Sequence, residues 1–403
     1  MTQLLAPLQG DVKHYDWGGN SYIPTLLQIE NPHSKPFAEY WMGVHPQAKC
    51  FLQLEDGEHI LLKDFIAKAP KKTLGQPVYE AFGNMPFLLK VLDVKDMLSI
   101  QVHPSKKQAA IDFEAENKKG IALNASNRNY KDVNHKPELM VAMSNFYLLH
   151  GFKPEDALLK ILKTTPELKI FTSVFKKQGY EGLYKMAMEL PQVEVNELLQ
   201  PLINRIIPLY QQNKLQKNDE NFWAARAALT FVQPNVIDRG IFSIYFFNLL
   251  HLTPGEAIFQ NAGLPHAYLE GQNVEIMANS DNVLRGGLTT KHIDTIELLK
   301  HTKCKATVPK IIPAKKQVAQ KVYKTPVTDF ELTSYNLHKG DSIKIDINTT
   351  EILLLMHGKI NISNKTNNLT LATGQIAAAA FKGAKLKISA EEDSLFFKAG
   401  VPL

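Results

Sequence analysis

The sequence predicts a mainly β protein with a helical insert: two β-barrels, with an all-α unit set into the first. Three observations predict it. Short apolar runs separated by Gly, Pro and Asn turns fill the chain to about Gly151. Three- and four-residue apolar spacing takes over from about Lys153 to Gln233. Short strands at regular spacing then run to the C-terminus. The expected division is 1–151 with 234–299 for the first barrel, 152–233 for the helical insert, and 300–403 for a linker and the second barrel.

In the first part, AKCFLQLED, MPFLLKVLDV and MLSIQVH read as strands and turns, and Ile60–Lys71 and the polar segment Ser105–Lys118 as helices. In VNELLQPLINRIIPLY, Leu198, Leu199, Leu202, Ile203, Ile206 and Leu209 fall on one face of a 3.6-residue repeat. EDALLKILKTTPELKIF and NFWAARAALTFV repeat that spacing. Strand texture returns at Ile241 with IFSIYFFNLLHL. A lysine-rich stretch from Lys300 to Lys324, containing Pro309 and Pro313, reads as a connector with a solvated charged face. Beyond it, EILLLMHGKINIS, LTLATGQIAAAA, KLKIS and SLFFKA have the texture of a sandwich or barrel. LTPGEAIFQNAGLPHAY and LATGQIAAAAFKGAKLKIS share an outline of Gly turn, apolar strand and second Gly turn, as a repeated jelly-roll module would.

Composition narrows the function. The 403 residues carry 46 Lys and Arg against 40 Asp and Glu, a net charge of +6 that suits a small anionic ligand. No basic and aromatic residues interleave as a nucleic-acid surface requires. Cys50 and Cys304 are the only cysteines, which excludes a Cys-rich zinc module and a disulfide scaffold and fits a reducing compartment. No apolar run approaches the ~18 residues of a membrane span. The N-terminal MTQLLAPLQG has no basic region leading into an apolar one, so a cytoplasmic protein is expected.

Four segments carry candidate chemistry. In SIQVHPSK, strand alternation sets Ser99, Gln101 and His103 opposite Ile100 and Val102; a strand with its polar face in water would look the same. In NHKPELM, Pro137 keeps Lys136 from helical geometry and crowds Asn134, His135, Lys136 and Glu138 together. GLPHAYLEG presents His266 and Tyr268 at alternate positions. In NVEIMANSDNVLRGGLTTK, Glu275 and Met277 face opposite to Val274 and Ile276, and Asp281, Arg285 and Lys291 follow in a Gly-rich loop. Gln101, His103, Glu138 and His266 together offer two imidazoles, a carboxylate and an amide oxygen. That donor set favours zinc, and manganese, iron(II) or cobalt could also use it.

YWMGVHP (Tyr40–Pro46), PFLLKVLDV with LSIQVHPSK, NHKPELMVAM, and PHAYLEG with VEIMANSDNVLRGGLTTK together resemble type I mannose-6-phosphate isomerases. The resemblance implies cupin-type jelly-roll barrels and a zinc-dependent aldose–ketose isomerase. Its substrates would be mannose 6-phosphate and fructose 6-phosphate, interconverted through a cis-enediol(ate) in mannose metabolism and GDP-mannose supply. It implies one Zn²⁺ on Gln101, His103, Glu138 and His266, with Arg285 in the active site. Lys136, His135, Glu275 and Asp281 would share the proton chemistry. Ser99, Lys291, Tyr268 and Trp17 would bind substrate. A monomer with sugar phosphates as its only partners, and neither nucleic acid nor membrane, is expected. The family's usual LTPK is LTTK here, at Leu288–Lys291, so this loop lacks a proline. Two rival readings are another metal-dependent cupin enzyme and a non-catalytic sugar-phosphate-binding cupin. An oxygenase-type site would have a second histidine where Gln101 stands, and the presence of Arg285 and Glu275 speaks against the loss of catalysis.

Overall fold

The computed structural model describes residues 3–314 and 318–403; Lys315–Gln317 of the lysine-rich connector lie outside the described residues. It is rich in antiparallel sheet, and its layers follow from side-chain alternation. The central eight-stranded sheet runs in the order Gln320–Tyr323, Glu331–Leu337, Ser394–Gly400, Glu351–His357, Ala377–Ala380, Leu5–Gln9, Phe51–Gln53, His59–Leu61. Ile352 and Leu354 face one apolar layer and Leu353 and Leu355 the other. A strand buried on both faces reads as an unbroken apolar run, which explains EILLLMH. Ala377–Ala380 is buried throughout for the same reason.

A four-stranded sheet (Ser342–Asp346, Lys385–Ala390, Ile360–Ser363, Asn368–Leu371) covers one face through Ile360, Ile362, Leu371 and Ile388. A ten-stranded sheet covers the other through Leu89, Val91, Leu139, Val141, Val274 and Ile276. Truncating one such fully buried Leu or Ile to Ala typically costs about 2–5 kcal/mol. Within the ten-stranded sheet, the long strand His266–Ala278 pairs with Phe87–Val94, Gln101–Val102, Glu138–Ala142 and Phe146–Phe152. It is the strand on which the candidate segments converge.

The helices Glu155–Thr164, Ile170–Glu189, Gln192–Gln211 and Glu220–Thr230 follow the predicted helical stretch. Leu199, Leu202, Ile203 and Ile206 are buried; Leu198 and Leu209, at the edge of the stripe, are half-buried. Ile100 and Val102 join this helical core, so the apolar face of SIQVHPSK looks toward the helices.

Several sequence expectations are corrected. Gly240–Phe246 is a helix, and strand begins only at Phe247. All seven residues of that helix are buried, so no polar face reveals its period. The expected helix Ile60–Lys71 is instead a short strand, His59–Leu61, then helices Leu62–Lys68 and Pro70–Leu74 broken at Ala69, the residue before a proline. The connector begins in the helix Thr295–His301 and ends in a strand of the central sheet, Gln320–Tyr323. The N-terminal strand Leu5–Gln9 pairs with Ala377–Ala380, placing the start of the chain within the C-terminal sheet. No helix among the described residues is long and apolar enough to cross a membrane.

Candidate metal centre

The antiparallel ladder brings the candidate ligands together. Gln101 lies opposite His266 on one side and Arg285 on the other, and Met277 opposite Glu138. Glu138 opens its strand directly after Pro137, and His103 follows the two-residue strand Gln101–Val102. The Glu138 carboxylate lies between two imidazoles, 3.2 Å from His266 Nε2 and 3.5 Å from His103 Nε2. Lys136 Nζ is 3.0 Å from Glu138 Oε1. His103, Glu138 and His266 are buried, and one donor atom from each falls within 4.8 Å of the others.

These residues fit a metal ion. His103 Nδ1 pairs with the Asn282 carbonyl at 2.9 Å and His266 Nδ1 with the Leu264 carbonyl at 3.0 Å. Carbonyls accept only, so each Nδ1 carries the hydrogen and each Nε2 lone pair points inward. His103 Nε2 is buried without a hydrogen-bond partner. Burial lowers the His103 pKa to about 4, which keeps the imidazole neutral as a ligand must be. Burial pushes the Glu138 carboxyl up, but Lys136 and the imidazoles outweigh it and hold it well below the usual range.

In front of this group lies a cavity of about 700 Å³ bordered by Trp17, Ser99, Gln101, Lys136, Asp281, Arg285 and Lys291. Arg285 and Lys291 form no ion pair among the described residues. Burial lowers both pKa values, and the nearby guanidinium lowers that of Lys291 further. Two uncompensated cations beside one cavity are an anion site in waiting.

Residues 5–155 match the family model of the phosphomannose isomerase type I catalytic domain. Mannose-6-phosphate isomerase of Escherichia coli K12 is 34% identical over 379 residues, covering 93% of this chain and 94% of its own. The human mannose-6-phosphate isomerase is 32% identical over 427 residues, covering 98% and 97%. The chain belongs to the type I mannose-6-phosphate isomerase family. Solved structures agree along the whole length. A zinc-bound mannose 6-phosphate isomerase superposes with a TM-score of 0.88 at 30% identity, covering 100% of both chains. The Salmonella typhimurium mannose 6-phosphate isomerase bound to fructose 6-phosphate and zinc gives 0.87 at 31%, again with full coverage.

Against that family background, the remaining predicted residues divide. Glu275 and Tyr268 do not border the cavity: the Tyr268 hydroxyl donates to Glu275 Oε2 at 2.7 Å, and Lys90 Nζ donates to Oε1 at 3.1 Å. His135 Nε2 pairs with Asp329 Oδ1 at 3.1 Å, which ties it to the C-terminal part of the chain. Sequence reasoning missed Lys90, Glu39, Trp41, His45 and Gln47, all of which border the cavity. Lys90 is buried between Glu275 and Glu39, the latter 3.6 Å away, and the two carboxylates hold its ammonium charged against the pull of burial. A signal existed, because a lysine in the middle of the apolar run PFLLKVLDV needs buried partners. His45 Nε2 and Gln47 Nε2 hold Asp281 at 3.4 and 2.9 Å.

Proposed function

We propose that this chain interconverts mannose 6-phosphate and fructose 6-phosphate, with one zinc ion held by Gln101, His103, Glu138 and His266. The observation that carries the reading is the cavity wall. Gln101 borders it with the His–Glu–His group behind, and Arg285 and Lys291 face it without counter-ions. A sugar phosphate has the matching ends: hydroxyl and carbonyl oxygens for one side and a dianion for the other. In our reading 1–151 and 234–299 form the catalytic cupin jelly roll, built on the ten-stranded sheet with Leu5–Gln9, Phe51–Gln53 and His59–Leu61 joining the central sheet, 152–233 is an inserted all-α domain, and 300–403 forms a linker and a cupin-like domain.

When bound, zinc supplies a Lewis acid that stabilises negative charge on the sugar oxygens. The residues do the rest. A base removes the proton from C2, and charge moves onto O1 as the cis-enediolate. Returning a proton to C1, while the O2 hydrogen passes to O1, completes the isomerisation without a co-reactant. Of the carboxylates considered for the base, Asp281 borders the cavity and is oriented by His45 and Gln47. Glu275 does not border the cavity, so we assign proton abstraction to Asp281. Lys136, at the cavity edge and 3.0 Å from Glu138, is placed to exchange protons with sugar oxygens during ring opening; His135 is turned toward Asp329 instead. Arg285 stays protonated and stabilises the enediolate. Ser99 and Lys291 bind the phosphate, and Trp17, stacked on Tyr15, walls the sugar side.

A coupled assay with mannose 6-phosphate tests the reading. Turnover should disappear on chelation and return with zinc. Full activity in metal-free protein would overturn the metal's role, and zinc-loaded protein without turnover would favour a binding protein.

A further inference from the structure

The helical region borders the cavity directly at Thr230 and Phe231, and it reaches the cavity's Gly-rich loop through a carboxylate. Asp238 precedes the helix Gly240–Phe246, and its backbone neighbours are fastened to other helices. The Ile237 carbonyl accepts from Gln192 Nε2 at 2.9 Å, and the Ile237 amide donates to Asn196 Oδ1 at 3.0 Å. The Arg239 guanidinium donates to the Met188 carbonyl. From this anchored position Asp238 Oδ1 accepts the Gly240 and Leu288 amides at 2.7 and 2.8 Å, and Oδ2 accepts the Thr289 amide at 2.9 Å. Leu288 and Thr289 lie in the loop between Arg285 and Lys291.

That loop is held in a conformation it would not choose unaided. Leu288 sits at φ 53°, in the left-handed region that non-glycine residues avoid. Gly287 is at φ 121°, and a Cβ there would lie 2.3 Å from the Gly240 Cα; a Cβ on Gly240 would lie 2.6 Å from the Leu288 nitrogen. The approach is therefore backbone to backbone. The start of the loop is secured separately: Arg285 pairs with Gln101, Gly286 N donates to Ile100 O at 2.9 Å, and Ile100 N to Gly287 O at 3.0 Å. Beyond Gly287, Asp238 accepts the next two amides, and Thr289, Thr290 and Lys291 then border the cavity.

We infer that Asp238 is a positioning residue through which the helical region sets the Thr289–Lys291 segment for the substrate's anionic end. The inference rests on the sugar-phosphate reading above and deepens it. All three partners are donors, so a carboxylate is required: an amide would aim its NH₂ at one of them.

Asp238→Asn is the test. KM for mannose 6-phosphate should rise about tenfold while kcat changes less than about threefold and zinc stays at one per chain, because Arg285 and the metal ligands are held independently. An unchanged KM, or a fall in kcat alone, would overturn the inference. Hydrogen exchange in the wild-type protein tests it without any substitution. The Leu288 and Thr289 amides should be protected, and exchange at the rate of exposed loop amides would sink the clamp even if the variant fails to fold. An inactive wild type with both amides protected would instead refute the isomerase reading.

Discussion

Two clusters in this molecule have nearly the same composition and opposite character. His103, Glu138 and His266 form one; Asp112, Glu297 and His301 form the other, and both bring three potential ligand atoms within 4.8 Å of one another. In the second cluster the ligand atoms are already engaged. His301 Nε2 pairs with Asp112 Oδ2 at 3.0 Å and the Tyr130 hydroxyl at 2.8 Å. Tyr130 donates to Glu297 Oε2 at 2.6 Å, and Lys300 reaches Asp112 at 2.6 Å and Glu297 at 3.2 Å. An ammonium supplies the positive charge there, and the cluster staples the helix Lys106–Lys118 to the helix Thr295–His301. In the first cluster both imidazoles are fixed by backbone carbonyls and a buried Nε2 is left without a partner. What distinguishes a metal site from an ion-pair staple is the unsatisfied donor atom, not the residue types.

Metal stoichiometry is the sharpest way to break this comparison. Titration of metal-free protein should load one zinc per chain. His266→Ala should cost more than the roughly 10–100-fold in zinc affinity that losing an outer-shell partner costs, and turnover with it. Asp112→Asn should leave the stoichiometry at one. A second zinc lost on Asp112→Asn would erase the distinction. Next in size, Arg285→Ala should lower kcat about 10²–10³-fold, with a smaller change in KM, in the coupled assay. A change confined to KM would move Arg285 from the chemistry to binding.

The residues of the first cluster stood out in the sequence, with the family resemblance joining their segments, and those of the second did not, for a physical reason. Gln101 and His103 alternate with Ile100 and Val102 on one short segment, and Glu138 and His266 sit in motifs dense in polar groups next to prolines. Asp112, Tyr130 and His301 lie in segments that look merely solvated, and only the docking of two helices joins them. The same limit applies to His135 with Asp329 and to the pairing of Leu5–Gln9 with Ala377–Ala380, since long-range partners leave no local pattern. The helices between Glu155 and Thr230 were visible because they have an exposed face; Gly240–Phe246 was hidden because it has none. The C-terminal sheets show the converse. Ala378, Ala380, Leu353, Leu355 and Phe396 fill the layer between them with hydrocarbon and the buried Glu351 is paired with Lys398, whereas the buried His103 keeps an Nε2 without a partner.

The smallest effect belongs to the staple and carries a pH sign. The His301 imidazole, whose Nε2 lies 3.6 Å from Glu297 Oε2, outweighs burial and with Tyr130 and Lys300 lowers the Glu297 carboxyl from 4.5 to about 2. A carboxyl depressed on folding stabilises the protein fully above its unfolded value and loses that contribution as pH falls through its folded value. The staple should therefore act at full strength at neutral pH and fade between about pH 4.5 and 2. The shift alone would correspond to about 3 kcal/mol, and solvent screening of a side chain that is 22% exposed reduces this to about 1–2 kcal/mol. Glu297→Gln should lower the thermal midpoint at pH 7 while narrowing the gap to wild type near pH 3, with zinc content unchanged. Equal destabilisation at both pH values would show that Glu297 acts through packing rather than charge. Loss of zinc in this variant would join the two clusters that the geometry keeps apart.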